Sequence, residues 1–350
     1  MPFSIIRNRS TLPQVDAIVN AADSNLHSSG GLCSALFRAA GVAELELACA
    51  QVAPVAVGDA AITPAFALPM KYIIHAVGPL YIDGTRGEEE LLTSAYTNAL
   101  NLAAENGCES IAFPLVASGA FGYPVADALR VLSSVARAFL AEHDMNIVLV
   151  VWGKESVAVG KKLVIDVEGY IGAHYIAAQA NPRSVARRVW AEKDAVAAEK
   201  VKTAGAETDV LADAVEKEYA VLKPLAAQSA LDDAMGRLDE PFSQALLRLI
   251  DQTGKSDAEI YRRANLDRRL FSKIRSNEQY APSKPTVLAF AIALCLTLAQ
   301  TKDLLARAGF ALSHSRKFDV VIEYFIVNAK YDIFEINEVL FHYDQPLLGA

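Results

Sequence analysis

Two glycine-bearing loops carry the clearest chemical signal in the sequence. The first spans residues 23–33 (DSNLHSSGGLC) and the second spans residues 117–124 (ASGAFGYP). Each follows an apolar, strand-like run and precedes a helical pattern, so backbone N–H groups at a helix N-terminus can face an anion. Glycine has no Cβ and lets a phosphate approach the backbone closely. Two such loops would suit a diphosphate, although glycine between a strand and a helix also serves simply as a turn residue.

A basic segment in the last third of the chain is the second chemical candidate. From Arg262 to Arg275 it contains six basic residues and one acid, Asp267. Arginine suits bidentate contacts to guanine, and the remaining cations suit phosphate. A basic helix face is also commonly just a solvated surface.

The elements that must position the two glycine loops lie between residue 1 and about residue 179. Near-continuously apolar runs are typical of strands covered by helices on both faces of a sheet. The predicted strands are Phe3–Ile6, Val15–Ala22, Tyr72–Val77, Ser110–Val116 and Asn146–Trp152. The predicted helices between them are Leu32–Ala40, Glu88–Glu105, Val125–His143 and Glu155–Tyr175. We therefore predict a three-layer α/β/α domain with a mixed sheet over residues 1–179.

The rest of the chain has a different pattern. Residues 180–239 are rich in Ala, Glu, Lys, Asp and Val, which predicts a charged helical linker. Residues 240–350 are predicted to form an all-α domain, with capping boxes at Ser256-x-x-Glu259 and Thr297-x-x-Gln300. Its predicted helices are Phe242–Gln252, Asp257–Ala264, Arg268–Ser276, Pro285–Leu296, Ala299–Ala308, Lys317–Asn328 and Ile333–Phe341.

Composition excludes several classes of protein. A net charge of −8 over 350 residues argues against a uniformly basic nucleic-acid coat. The four cysteines lie far apart, which predicts neither a disulfide framework nor a zinc site, and we expect no cofactor or metal. The N-terminal MPFSIIRNRS has charges where a signal peptide needs apolar residues, and the apolar runs are short for a membrane span. We expect a cytoplasmic protein without a membrane partner.

Five sequence blocks occur in one order over about 170 residues and resemble the macro domain, a family that binds ADP-ribose. The blocks are Val15–Ala22 (VDAIVNAA) with the first glycine loop, Phe37–Gly41, Gly58–Pro64, Lys71–Pro79 (KYIIHAVGP), and Ala112–Pro114 with the second glycine loop. The resemblance implies a pocket at the carboxyl ends of the strands, with the two loops around the diphosphate. The ligand-binding residues it implies are Arg9, Asn20, Asp23, Gly30, Gly31, Leu32, Cys33, Ser118, Gly119, Ala120, Phe121, Gly122 and Trp152.

The implied roles within that set differ. Phe121 would flank the distal ribose, and Trp152 would either stack on adenine or serve as a core aromatic. His75 is interpreted as a structural histidine at a strand end rather than as a base.

Within the family the sequence resembles the MacroD-like branch, but it departs from the hydrolytic members of that branch at two places and from the usual family pattern at a third. Asp23 and Cys33 stand where that branch has Asn and Asp, the residues that orient the ribose and a water. Asp23 could bind a ribose hydroxyl or act as a general base, and Cys33 could be a nucleophile or a packing residue. Arg9 stands where the family usually has the acid that reads adenine, and arginine has no acceptor for that hydrogen bond.

The segment from Ser256 to Gly309 resembles the repressor-like helix-turn-helix fold. That resemblance makes Asp257–Ala264 the first helix of the motif and the helix ending at Ser276 the recognition helix. The candidate DNA-binding residues, which would face outward, are Arg268, Arg269, Ser272 and Lys273. Leu270, Phe271 and Ile274 would pack inward, and Phe318–Leu348 would be a dimer or partner surface or an added core layer.

These observations favour a protein that binds ADP-ribose or a derivative and acts as a sensor or reader coupled to its helical domain. One alternative is an ADP-ribosyl hydrolase or O-acetyl-ADP-ribose deacetylase, with Asp23 and Cys33 as the candidate catalytic residues. A second alternative is a DNA-binding regulator. Repressor-like folds also bind proteins, so a protein partner and an oligomer stay open.

Overall fold

The computed structural model describes residues 2–7, 13–151, 163, 165–172 and 240–349. Arg9, Trp152, most of the predicted helix Glu155–Tyr175 and the predicted linker lie outside the described residues.

A single mixed sheet organises the N-terminal part. Its strands are β1 (Phe3–Arg7), β2 (Ala17–Ala21), β3 (Ala60–Pro64), β4 (Tyr72–Ala76), β5 (Ser110–Phe113) and β6 (Asn146–Val151). The order is β1-β6-β5-β2-β4-β3, with β3 antiparallel to β4 and the other neighbours parallel. The predicted α/β fold with a mixed sheet is confirmed. The edge strand β3 was not predicted, because its small residues and Pro64 lack the apolar run of a buried strand.

The sheet opens between two of its central strands. β2 pairs with β4 along its whole length, but with β5 only at Ala17–Ile111 and Ile18–Ala112. The next residue after β5 is Pro114, which has no N–H to extend a ladder. The carboxyl ends of β2 and β5 therefore separate, which leaves space at that edge of the sheet.

The helices between the strands of the sheet are α1 (Gly31–Ala40), α2 (Val42–Val52), α3 (Glu88–Glu105) and α4 (Val125–Glu142). The predictions for α1, α3 and α4 hold to within a residue. α2 was not predicted. It is separated from α1 by Gly41, whose φ of 102° ends one helix and starts the next.

The C-terminal part of the described chain is helical, as predicted. Its helices are α5 (Phe242–Thr253), α6 (Asp257–Arg263), α7 (Arg268–Ser276), α8 (Lys284–Ala293), α9 (Leu298–Arg307), α10 (Lys317–Val327) and α11 (Ile333–His342). Local capping explains the boundaries, since the side chains of Ser256, Asp267, Ser283 and Thr297 each accept a backbone N–H of the first turn. The backbone N–H of Thr297 in turn donates to Gln300 Oε1 at 3.0 Å, which completes the predicted capping box.

Met1–Glu168 and Phe242–Ala350 form one compact unit. The side chain of Asn265 accepts from Phe3 N at 2.8 Å and donates to Phe3 O at 2.8 Å. Phe3 is fully buried and its ring lies 5.0 Å from that of Phe334. Asn265 thus pairs with the outer edge of β1 in the way that a neighbouring strand would.

The last two helices also belong to the core. Residues of α10 and α11 such as Val321, Phe325 and Ile336 are fully buried. This burial favours the added core layer among the roles considered for Phe318–Leu348. The division into domains at 1–179, 180–239 and 240–350 stays a prediction. In the described part of the chain no helix is long and apolar enough to cross a membrane.

Replacing Asn265 by glycine should destabilise the protein. Glycine tolerates the positive φ of 55° at this position, so the loss comes from the two buried backbone groups of Phe3. We expect a decrease in the free energy of unfolding of about 2–4 kcal/mol, measured by urea denaturation of the full chain. Asn25→Gly, at an exposed turn, is the matched control and should change stability by less than about 0.5 kcal/mol. If the two substitutions lower the stability equally, the hydrogen bonds of Asn265 to Phe3 do not stabilise the edge of β1 as described.

Candidate functional site

A cavity of about 410 Å³ opens where β2 and β5 separate, and both glycine loops line it. Nine of the thirteen predicted ligand residues lie in its wall: Asp23, Gly30, Gly31, Leu32, Cys33, Ser118, Gly119, Ala120 and Phe121. The structure therefore brings together two loops that are about 90 residues apart in the chain. Gly122 follows Phe121 but is not part of the wall, and Asn20 lies outside it as well.

The first loop (residues 23–33) depends on glycine for its backbone shape. Gly30 has φ 83° and ψ 177°, a region that essentially only glycine occupies. Its N–H donates to Ser34 Oγ at 2.9 Å, which fixes the start of α1. A Cβ on Gly30 or Gly31 would meet no atom within 4 Å, so this side of the cavity is open to a ligand.

The second loop (residues 117–124) is held from below by α3. Val116 N donates to the hydroxyl of the buried Tyr96 at 2.9 Å, and burial raises the pKa of Tyr96, so this phenol is neutral. Within the loop, Gly122 N donates to Gly119 O at 3.0 Å. Close packing adds a further constraint, since a Cβ on Gly78 would lie 2.9 Å from Ala117 Cβ.

Glu88 orders the segment that supports the second loop. Its carboxylate accepts backbone N–H groups at 2.6–3.4 Å from Ile82, Asp83, Gly84 and Arg86. Burial raises the pKa of Glu88, but these N–H groups lower it more, to about 2. Just before this segment, Tyr81 N donates to Phe121 O at 2.9 Å. Glu88 therefore acts on the cavity through the backbone rather than by touching it.

Asp23 is the one carboxylate among the wall residues described for this cavity. Its Oδ1 accepts from Asn25 N at 2.9 Å and from His27 N at 3.2 Å. One carboxylate oxygen thus shapes the first loop, and Oδ2 is the oxygen that can serve a ligand.

Comparison with known proteins agrees with this architecture. The family model for the macro domain matches residues 19–132. A macro domain-containing protein of Chlorobaculum tepidum is 45% identical over 129 residues, covering 37% of this chain and 74% of that protein. An O-acetyl-ADP-ribose deacetylase of Escherichia fergusonii is 41% identical over 145 residues, covering 40% of this chain and 81% of that enzyme. This chain belongs to the macro domain family.

Solved macro domain structures are also similar in sequence. An Oceanobacillus iheyensis macrodomain with ADP is 34% identical, covers 43% of this chain and 84% of its own, and has a TM-score of 0.41. A Trypanosoma brucei macrodomain in complex with ADP-ribose is 34% identical, covers 43% and 64% of the two chains, and has a TM-score of 0.39. The C-terminal helices lie outside the residues that the macro domain model matches.

Cys33 has the surroundings of a packing residue. It is 5% exposed, belongs to the hydrophobic core of the macro domain, and its S–H donates to the backbone carbonyl of His27 at 3.6 Å. The carbonyl, rather than the imidazole of His27, therefore faces the sulfur. A carbonyl oxygen accepts a hydrogen bond from the thiol but does not stabilise a thiolate. This contact therefore does not form a thiol–imidazole pair.

Asn20 sits in a buried network outside the cavity. It is 1% exposed, and its Nδ2 donates to His75 Nδ1 at 3.1 Å. The other ring nitrogen of His75 lies 3.0 Å from Thr63 Oγ1, and burial lowers the pKa of His75 to about 4. His75 is thus a neutral structural histidine, as interpreted from the sequence. Asn20 contributes to this support, and its contact with a ligand stays a prediction.

Sequence reasoning missed part of the cavity wall. The wall also includes Gly78 shortly after β4, Val125 at the start of α4 and the pair Val150–Val151 at the end of β6. Gly78 and the pair Val150–Val151 follow or end parallel strands, whose carboxyl ends share one edge of the sheet. The position of a residue at a strand end was the signal available for them, and it was overlooked in favour of glycine motifs.

The candidate DNA-binding residues share one face of α7. Arg268, Arg269, Ser272 and Lys273 are exposed, Phe271 and Ile274 are buried, and Leu270, which was also predicted to pack inward, is half-buried. Arg268 and Arg269 also line a cleft together with Glu109 and Asp144 of the macro domain. DNA binding by this face stays a prediction.

The macro domain should lose stability in acid through Glu88. The folded-state pKa lies below the ordinary 4.5, so this contribution is complete above about pH 4.5 and is lost as the pH falls toward about 2. Glu88→Gln should lower the urea midpoint at pH 7. The midpoint of this variant should also fall less than that of wild type between about pH 4.5 and about pH 2. The matched control is Glu90→Gln in the same first turn of α3. If the two variants titrate alike, the backbone contacts of Glu88 do not carry the effect.

Proposed function

We propose that the cavity of this macro domain binds ADP-ribose or an ADP-ribose derivative through its diphosphate. The observation that carries the proposal is the meeting of both glycine loops in one cavity at the carboxyl edge of the sheet. Relatives at 39–43% identity are named O-acetyl-ADP-ribose deacetylases, which supports a ligand of this class.

Two helix N-termini favour an anion in this cavity. α1 starts at Gly31 and α4 starts at Val125, and both residues lie in the wall. The first N–H groups of a helix carry the positive end of its dipole, which stabilises a phosphate within the first turn. Gly119 leaves open space beside them, because a Cβ there would meet nothing within 4 Å. Phe121 in the same wall is the residue proposed to flank the ribose.

The course of α4 supports a sensor role as part of this proposal. Its first residue lines the cavity, and further along Ser133 Oγ donates to Glu338 Oε1 of α11 at 2.7 Å. One turn later Arg137 pairs with Asp332 at 2.5 Å. α4 therefore joins the nucleotide cavity to the C-terminal helices. Coupling needs a ligand that binds two states of this contact with different affinity.

Calorimetric titration of the full chain with ADP-ribose tests the binding proposal. We expect saturable binding with a micromolar Kd, which corresponds to about −8 kcal/mol. ADP should bind more tightly than AMP, because the second phosphate completes the contacts with the loops. Gly119→Val places a side chain in the open space without a positive φ to strain it, and should weaken ADP-ribose binding at least tenfold while leaving the urea midpoint unchanged. Absence of heat from wild type at millimolar ADP-ribose would reject plain ADP-ribose as the ligand.

Hydrolysis of an acetyl ester on ADP-ribose is the second candidate function. The carboxylate of Asp23 in the cavity favours it, since a carboxylate can activate a water as a general base. Cys33 opposes it, because the hydrolytic branch has an aspartate at this place and a thiol cannot replace that carboxylate.

We expect wild type to bind O-acetyl-ADP-ribose. We also expect wild type and Asp23→Asn to hydrolyse it at the same rate. Asparagine keeps the Oδ1 acceptor that shapes the first loop and removes the base. Product formation by chromatography is the measurement, and ADP-ribose titration of each variant verifies that the cavity is intact. Turnover by wild type that disappears in Asp23→Asn would make the hydrolase the correct function.

Binding of DNA by α7 is a further proposal for the C-terminal helices. Exposure of Arg268, Arg269 and Lys273 on one face supports it, whereas Asp144 beside Arg268 weakens the local positive potential.

A further inference from the structure

A second cavity lies where the macro domain meets the C-terminal helices. Its volume is about 650 Å³, which exceeds that of the nucleotide cavity and falls in the usual range for sites of small molecules. Its wall comes from α4, from α6 and from the segment around the start of α11. We call it the junction cavity and define it by Arg137, Leu140, Ala258, Arg262, Arg263 and Phe334.

The charges around the junction cavity favour an anion. Three guanidinium groups and two carboxylates, Glu259 and Asp332, belong to the wall, which leaves one formal positive charge in excess. Each carboxylate already has a cation, since Lys255 lies 2.9 Å from Glu259 and Arg137 lies 2.5 Å from Asp332. The acids of the wall are therefore neutralised without Arg262 or Arg263.

Arg263 is the guanidinium best placed to take a ligand. Its Nη2 donates to the sulfur of Cys295 at 3.4 Å, and a thiol sulfur is a weak acceptor. Among the described residues no carboxylate forms an ion pair with Arg263. Arg262 is more engaged, because it donates to Ala141 O at 2.6 Å and lies 3.5 Å from Asp144 Oδ1, and only its buried Nε has no acceptor in the described part of the chain. Arg263 thus keeps the hydrogen-bond donors for an incoming anion.

Most of the remaining wall is apolar, apart from Ser256 and Tyr331. Leu140, Ile333 and Phe334 are buried and line the cavity with Ala141 and Ala258. The ring of Phe334 also lies under Arg137, with 5.1 Å between the guanidinium carbon and the ring centroid. A ligand that fills this space needs an apolar body with one acidic group at the end that meets Arg263.

We propose that the junction cavity is a second binding site, which takes a small molecule with an aromatic or aliphatic body and a single carboxylate, sulfonate or phosphate group. The site is separate from the nucleotide cavity, and it is formed by residues of both parts of the compact unit. A ligand there contacts α4 on one side and α6 and α11 on the other.

Fluorescence titration of the full chain with 1-anilinonaphthalene-8-sulfonate tests the proposal. This probe has an aromatic body and one sulfonate, and N-phenyl-1-naphthylamine is the same body without the charge. We expect one saturable site for the sulfonate that persists in Gly119→Val, and at least tenfold weaker binding of the uncharged probe.

Substitutions locate the site. Arg263→Ala should weaken sulfonate binding at least tenfold. Arg263→Lys should restore part of the binding, because lysine returns the positive charge but not the planar guanidinium group. Ala258→Phe should abolish binding by filling the cavity. Arg38→Ala, an exposed arginine on α1, is the control and should bind as wild type does. Urea midpoints near that of wild type verify that each variant is folded.

Several results would overturn the proposal. Among them are no saturable binding to wild type, equal affinity for the two probes, and sulfonate binding that survives both Arg263→Ala and Ala258→Phe. A sulfonate signal removed by Gly119→Val would place the probe in the nucleotide cavity and would equally overturn it.

Discussion

The separation of β2 from β5 is the constraint on which the rest of the macro domain depends. Parallel strands that stay paired leave no room between their ends, whereas these two strands share two residue pairs before Pro114 ends the ladder. The walls of the cavity lined by both glycine loops follow from that gap. The loop after β2 and the loop after β5 fall on opposite sides of it, and α1 and α4 begin at its rim.

Support for the cavity comes from buried polar groups that do not touch it. Beneath the first loop, the pairing of Asn20 with His75 fixes the end of β2 to the end of β4. Beneath the second, the Tyr96 hydroxyl and the Glu88 carboxylate satisfy backbone N–H groups of segments that have no regular partner. Irregular loops of defined shape need such acceptors, because an unpaired buried N–H costs about as much as a lost hydrogen bond.

Elements that depend on residues close together in the chain were predicted from the sequence better than contacts between residues far apart in the chain. Apolar runs and caps such as Ser256 and Asp267 located the strands and helices, and glycines located the two loops of the cavity, because these signals lie within a few residues of the element they specify. Strand β3 was not predicted, because it is a partly exposed edge strand whose conformation depends on pairing with β4. The contact of Asn265 with Phe3 joins positions 262 residues apart, and no local pattern predicts it. The pairing of Asn20 with His75 escaped prediction for a related reason, since the histidine that holds the Asn20 side chain is 55 residues away.

The amide of Asn265 on the outer edge of β1 has a consequence for how the chain avoids self-association. An open strand edge presents unpaired N–H and C=O groups and acts as a template for another chain. In this protein the template is occupied at Phe3 by a side chain from the C-terminal helices, and Phe334 covers the ring beside it. A fragment that ends before the C-terminal helices would expose the backbone N–H and C=O of Phe3 and also its side chain. Exposed strand edges and apolar side chains promote β-aggregation. The C-terminal helices thus keep this part of the β1 edge from pairing with another chain.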